Sequence, residues 1–297
     1  MLKRFILTLI LTILSLGILL SQTSKKPKIY ITVDMEGIGS AVSQTQTRPG
    51  DSEYEKARKW LTSEVNACIE GCFEAGAGEI VVADSHWNAQ NIIPDDLNES
   101  VYLIRGFPRP MMLMEGIDTS FDGVMIIGAH AKEGTAGAVI SHTVWGTKFF
   151  DIKLNGISVS ETLLNAIIAG EYNVPVIFVA GDQFITEEAK KTLGNVEVVV
   201  TKESIGWLSA KTRHPKKVCE EIKEKCKIAV SRIGSFKPYR ISTPIKMEIV
   251  FKNTYDAESI SFLPGFKRID GHTIIFEAKN VKEVCGVIAG IFSINTR

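Results

Sequence analysis

The sequence predicts an α/β fold, a mostly parallel sheet flanked by helices, with a smaller mixed segment at its C-terminal end. Three observations predict it. Strand-like and helix-like segments alternate from residue 27 to about 235, the pattern of a parallel sheet with helices packed on it. The strand candidates are near-continuous apolar runs, as in strands covered on both faces. Beyond residue 235 the alternation lapses, and two strand-like runs precede a final helix-like one.

In chain order, "KIYITV" (28–33) is a short run rich in β-branched residues. Tyr54, Ala57, Leu61, Val65, Cys68 and Cys72 recur at steps of three and four, which predicts a helix over 52–75. Ser52 and Glu55 offer it a capping box, and Gly76 and Gly78 stop it. Strands are predicted at "EIVVAD" (79–84), "VYLIR" (101–105) and "GVMIIGAH" (123–130). A helix at "SETLLNAIIAGEY" (160–172) leads to a strand at "VPVIFVAG" (174–181). A helix at "QFITEEAKKTL" (183–193) then leads to a strand at "VEVVV" (196–200). The basic stretch 211–227 reads as an amphipathic, solvated surface helix. The C-terminal segment 236–297 holds strands at "IKMEIVF" (245–251) and "HTIIFEA" (272–278) and a helix over 280–293. The expected domains are therefore 27–235 and 236–297.

The 297 residues are 45% apolar and 23% charged with zero net charge, so the chain can bury a core. A neutral chain offers no electrostatic footprint for nucleic acid. Lys3 and Arg4 precede the uncharged run Phe5 to Leu20, followed by Ser21, Gln22 and Lys25–Lys26. A basic start, an apolar run and a polar exit predict a signal peptide or membrane anchor over 1–26. Export, to a periplasmic or membrane-anchored site, is the expected localisation. The five cysteines form no CxxC pair, and Cys68 and Cys72 fall on the buried stripe of a helix, as small apolar core residues.

The chemistry-bearing residues fall at strand ends. Asp34 and Glu36 close the first strand, Asp84 and His86 the second, and His130 the strand at 123–130. Open parallel sheets bind ligands beyond the carboxyl ends of their strands, so three segments deliver carboxylates and imidazoles to one edge. That convergence points to a metal site. A dinucleotide loop at "GIGSAV" is disfavoured: Val42 stands where the third glycine belongs, and two carboxylates precede the loop. On spacing alone His142 reads equally as a core histidine and Glu161 as the end of a capping box from Ser158. His214 and His272 read as structural.

The motifs "VDMEGIGS", "VADSHWN", "IGAHAKEGTAGAVISHT" and "SETLLNAIIAGEYNVPVIFVAGD", in that order, resemble the D-aminopeptidase family of dipeptide-transport operons, the M55 metallopeptidases. The resemblance implies two zinc ions per chain, for which manganese or cobalt could substitute. Asp34 matches the bridging carboxylate, Glu36 and His86 would complete one metal's ligands, and His130 and Glu161 the other's. His142 matches an active-site histidine outside the metal shell. Ser160 stands where the family motif often has glycine. Two dications would be neutralised by Asp34, Glu36, Glu161 and a hydroxide. That hydroxide would attack the carbonyl of a short peptide, one with an N-terminal D-residue if the family habit holds. Asp84 is a candidate to fix an imidazole from behind. The resemblance also implies a ring-type homo-oligomer. Competing readings are another metal-dependent amidase or a phosphoesterase, for which Arg105, Arg109 and Lys132 are the candidate phosphate ligands, and a non-catalytic metal- or peptide-binding protein.

Overall fold

The computed structural model describes residues 25–293. The leader expected over 1–26 lies outside them, except for its last two residues. Among the described residues no helix is long and apolar enough to cross a membrane.

The chain opens with β1 (Lys28–Val33), a short α1 (Gln44–Thr47), the long α2 (Tyr54–Glu74), β2 (Glu79–Asp84), β3 (Tyr102–Ile104) and β4 (Gly123–Ala129). A hairpin of β5 (Phe149–Leu154) and β6 (Ile157–Ser158) precedes α3 (Glu161–Glu171), β7 (Val176–Asp182) and α4 (Gln183–Leu193). Then come β8 (Glu197–Gly206), β9 (Ser209–Thr212), α5 (Pro215–Ser231), β10 (Ile245–Phe251), α6 (Thr254–Ser261), β11 (Lys267–Arg268), β12 (Thr273–Ala278) and α7 (Val281–Ser293).

Seven strands form the main sheet in the order β3-β2-β1-β4-β7-β8-β9, parallel except for β9. Five form a second, antiparallel sheet, β11-β12-β10-β5-β6. Two of those five come from before residue 235, so the smaller sheet is built from both sides of that sequence boundary. The register of "FFDIKL" is weak in sequence: Phe149, Ile152 and Leu154 are buried, but Phe150 is exposed.

Both layers follow from burial. Ala57, Leu61, Val65, Cys68 and Cys72 of α2 are all fully buried, each larger side chain contributing roughly 1.5–3 kcal/mol. They share a core with β1, β2 and the apolar face of α5, where Val218, Ile222 and Cys226 are fully buried. The solvated face of α5 carries Lys223, paired with Glu70 at 3.1 Å and Glu74 at 2.8 Å. All five cysteines are free thiols, and Cys68 and Cys72 lie in this core beside Met125. On the other side α3, apolar nearly all round, is buried against β4, β5 and α7.

Two expected caps are absent. Glu53, not Ser52, precedes α2 and makes no side-chain cap. Ser158 pairs with Lys153 inside β6 and so cannot cap α3; Ser160 does, accepting from the Leu163 amide at 3.0 Å.

The turn after β1 lies against the end of β4. The Gly37 amide donates to the Gly128 carbonyl at 2.8 Å. A Cβ on Gly37 would sit 1.8 Å from the Ala129 oxygen, and one on Gly128, whose φ is +76°, would sit 1.9 Å from the Asp34 oxygen. Neither position admits a side chain without moving backbone. Gly128→Ala is expected to cost at least about 2 kcal/mol. Thermal or urea unfolding checks it, and a loss under about 0.5 kcal/mol would mean the close approach is dispensable.

Candidate metal centre

The strand order reverses between β1 and β4, and the crevice at the carboxyl ends of these strands is the place where open α/β sheets bind ligands. Asp34 stands one residue beyond β1, with its amide donating to the Ile127 carbonyl at 2.8 Å, while the Ser85 amide donates to Val33 at 2.9 Å. These ladder bonds lock the loops that carry Asp34, His86 and His130 to one another. From below, the fully buried Lys202 of β8 donates to the carbonyls of Glu36, Ile38 (3.0 Å) and Ala41. Burial pulls its ammonium down to about 8, with Asp182, Glu64 and Glu36 working the other way. The Gly39 amide in the same loop donates at 2.8 Å to the buried Glu64, whose carboxyl burial pushes up to about 7.

The imidazoles have defined tautomers because a carbonyl can only accept. His86 donates from Nε2 to Thr47 O at 2.6 Å, which turns Nδ1 toward Asp34 Oδ1 at 2.9 Å and Glu36 Oε2 at 3.0 Å. His130 donates from Nδ1 to Ala131 O at 2.9 Å, which turns Nε2 toward Asp34 Oδ2 at 3.2 Å and Glu161 Oε1 at 3.3 Å. In neutral rings both inward nitrogens would present lone pairs to carboxylate lone pairs. Glu36 Oε2 and His130 Nε2 are buried with no hydrogen-bond partner of their own. Only a proton or a cation between each pair removes the conflict. Burial opposes protonation of either imidazole, but the charge of Glu36 on His86 and of Glu161 on His130, joined by Asp34, outweighs it and raises both well above the ordinary value. Burial likewise disfavours the Asp34 carboxylate, and the two imidazoles overcome it, holding the group well below its usual range.

Two triads therefore share Asp34: one with Glu36 and His86, the other with His130 and Glu161, each with its donor atoms within 4.8 Å of one another. Glu161 opens α3, where the helix N-terminus favours its negative charge, and its Oε1 accepts from the Val144 amide at 2.8 Å. His142 stacks on His130 at 4.2 Å between centroids, with Nδ1 donating to Ile140 O at 3.1 Å and Nε2 3.8 Å from Glu161 Oε1. It is the one partly exposed imidazole of the three.

All six candidate residues, Asp34, Glu36, His86, His130, His142 and Glu161, thus meet at one corner. Five of them line a cavity of about 870 Å³, with His130 just beneath its floor. The walls of that cavity are aromatic, from Trp87, Phe107, Trp145, Trp207 and Phe292. Asp84 does not touch an imidazole: its carboxylate accepts from the Asn91 and Ile92 amides, and Asn91 in turn donates to His86 O at 2.6 Å, so Asp84 anchors the loop instead. The partner behind the His86 ring is the Thr47 carbonyl, which no side-chain pattern reveals. Lys202 escaped the sequence reading too. Its position in an apolar strand, where Lys is rarely fully buried without partners, was the available signal. Arg105, Arg109 and Lys132 do not form a phosphate clamp. Of the three, Arg109 alone lines the cavity; its Nε and Nη2 donate to the carbonyls of Gly106 and Asp84 at 2.6 and 2.7 Å, and its Nη1 is buried without a hydrogen-bond partner. His214 caps α5 through the Lys216 amide, and His272 bonds Phe251 O.

Residues 28–289 match the sequence profile of the Peptidase M55 family, described as D-aminopeptidase. A D-aminopeptidase of Bacillus subtilis (strain 168) is 34% identical over 257 residues, covering 86% of this chain and 93% of that one. Among solved structures, the zinc-dependent D-aminopeptidase DppA of Bacillus subtilis, titled a self-compartmentalizing protease, superposes with a TM-score of 0.86 at 31% identity, over 91% of this chain and all of that one.

The raised imidazoles carry a linkage. The carboxylates make His86 and His130 hold protons more tightly than ordinary imidazoles, and a bound cation must displace those protons. Stepwise zinc addition to chelator-stripped protein in weak buffer at pH 7 is expected to release about two protons per chain from these rings. An indicator dye reads them. Loading without acidification would mean both rings are already neutral.

Proposed function

Because this chain belongs to the Peptidase M55 family of D-aminopeptidases, we propose that it is a zinc-dependent aminopeptidase with two metal ions, acting on short peptides with N-terminal D-residues. The observation that carries the reading is the pair of inward imidazole nitrogens facing carboxylates across a shared Asp34. Such a corner fits two cations: three carboxylates and two neutral imidazoles form a hard-to-borderline donor set suited to zinc and tolerant of manganese or cobalt. Asp34, Glu36 and His86 would hold one ion, and Asp34, His130 and Glu161 the other.

Bound there, the ions would supply Lewis acidity toward the scissile carbonyl and a water molecule. The chain's own residues do the rest. The aromatic walls receive the peptide and exclude bulk water around the polar floor. His142 faces the cavity with Nδ1 fixed by Ile140 O, so Nε2 is the atom that can take up a proton and, in the doubly protonated ring, pass it to the leaving amine or donate a hydrogen bond to the developing oxyanion. Glu161 holds its orientation through the Val144 amide while sharing the His130 and His142 edges. The self-compartmentalizing character of the DppA neighbour supports a homo-oligomer for this chain as well. The basic and apolar N-terminus, Lys3 to Leu20, supports export or anchoring.

Release of amino acid from D- and L-alanyl peptides, measured on zinc-loaded and chelator-stripped protein, tests the activity; zinc binding without turnover on any peptide would leave a binding protein. Asp34→Ala is expected to lose both metals, and retention of two per chain by atomic absorption would refute the shared ligand. His142→Ala is expected to keep both metals and lose about 10²–10⁴-fold in kcat, and full activity would remove its proton-transfer role.

A further inference from the structure

Three cations line the cavity: Arg48, Arg109 and Lys252. Arg109 is buried, with Nε and Nη2 donating to carbonyls and Nη1 unpartnered but sealed from solvent. Lys252 is paired with Glu133 at 2.8 Å and donates to Gly146 O at 2.6 Å. Arg48 is exposed, and among the described residues its guanidinium has no carboxylate or carbonyl partner. It lies over the indole of Trp87, at 5.7 Å from the guanidinium carbon to the ring centroid.

The backbone beneath it is fixed. The Arg48 amide donates to Gln44 O at 2.9 Å, and the Asp51 amide donates to Arg48 O at 3.2 Å. The preceding carbonyl, Thr47 O, is the group that holds the His86 ring. An unpaired guanidinium is thereby carried on the residue next to the one that orients a candidate metal ligand. A guanidinium offers parallel N–H donors that match a carboxylate in a bidentate fork, and an aromatic face behind it strips water from one side. Successive residues of a peptide are about 3.8 Å apart, so the terminal carboxylate of a dipeptide lies one residue beyond the scissile carbonyl, within the span of an arginine side chain.

We propose that Arg48, backed by Trp87, forms a subsite for the free C-terminal carboxylate of the substrate, so that the cavity selects very short peptides with an unblocked C-terminus. This rests on the peptidase reading above and adds to it which end of the substrate the chain recognises away from the reacting bond. The subsite and the carboxylate-rich floor line the same cavity, so a zwitterionic dipeptide would meet opposite charges at its two ends, and peptides extended or amidated at the C-terminus would lose the Arg48 contact.

The test compares binding of D-alanyl-D-alanine and D-alanyl-D-alaninamide to the full chain, wild type, Arg48→Ala and Arg48→Lys, by calorimetry after chelation and by KM with zinc. Wild type is expected to prefer the free acid at least about tenfold. Arg48→Ala should bring that ratio below about two, and Arg48→Lys should restore part of it, since a point charge replaces the fork. A wild-type ratio near one, no detectable binding of the acid, or an Arg48→Ala ratio equal to wild type would overturn the proposal. Failure of the peptidase reading looks different: no turnover with zinc on either compound, while the chelated protein still reports the binding ratio.

Discussion

The arrangement depends on one unresolved confrontation: two buried imidazole nitrogens aimed at carboxylates across Asp34. Each ring is held in place from behind by a backbone carbonyl, Thr47 O for His86 and Ala131 O for His130. Neither ring can turn its N–H inward without abandoning that bond, so the corner stays short of positive charge unless protons or cations enter. The protein does not relieve this with a local arginine. The fully buried Lys202 is directed instead at the backbone carbonyls of Glu36, Ile38 and Ala41. The lysine fixes the loop and leaves Glu36 Oε2 without a hydrogen-bond partner.

The rest of the fold serves that corner. Parallel ladder bonds on both sides of β1 set Asp34 between the ends of β2 and β4. Gly37 and Gly128 let two backbone turns approach so closely that a methyl group on either would overlap the other chain segment. The fourth segment, α3, enters from the other layer. Its burial against β4 and α7, in a core shared with β5, sets the depth at which Glu161 reaches His130, which ties the second sheet to the site although it contributes no candidate ligand. A shift of that layer would move one carboxylate relative to the other two and break the sharing of Asp34.

How much of this was legible in the sequence can be judged residue by residue. β1, α2, β2 and β4 follow from apolar runs and from the spacing of Tyr54 to Cys72, because burial writes itself directly into composition, whereas the short α1 left no such pattern. Asp34, Glu36, His86 and His130 stood out because ligand-type residues at apolar strand ends are costly unless something binds them. Glu161 and His142 did not stand out on spacing. One starts a helix, where acids are common, and the other lies in a loop whose course depends on contacts with Trp207 and Glu161. The β5–β6 hairpin was missed because its outward Phe150 breaks the alternation. The Thr47 carbonyl and the three acceptors of Lys202 were unreadable in principle, since every residue carries a carbonyl and only tertiary structure says which one is used.

The floor and the walls of the cavity have different origins, and that separation bears on how such a site can change. The floor comes from strand ends locked into one sheet, where a displacement of one ligand is felt by all. The walls come from loops after β2 and β3, the loop before β5, the β8–β9 turn and the end of α7, contributing Trp87, Phe107, Trp145, Trp207 and Phe292. Phe292 packs on both Phe107 and Trp145, and the loops after β2 and β3 are joined by the Gly106 amide on Ala89 O, so the walls hold one another while standing apart from the strand ends. The candidate ligands are therefore tied to the rigid sheet edge, while the aromatic lining of the cavity belongs to loops and a helix end.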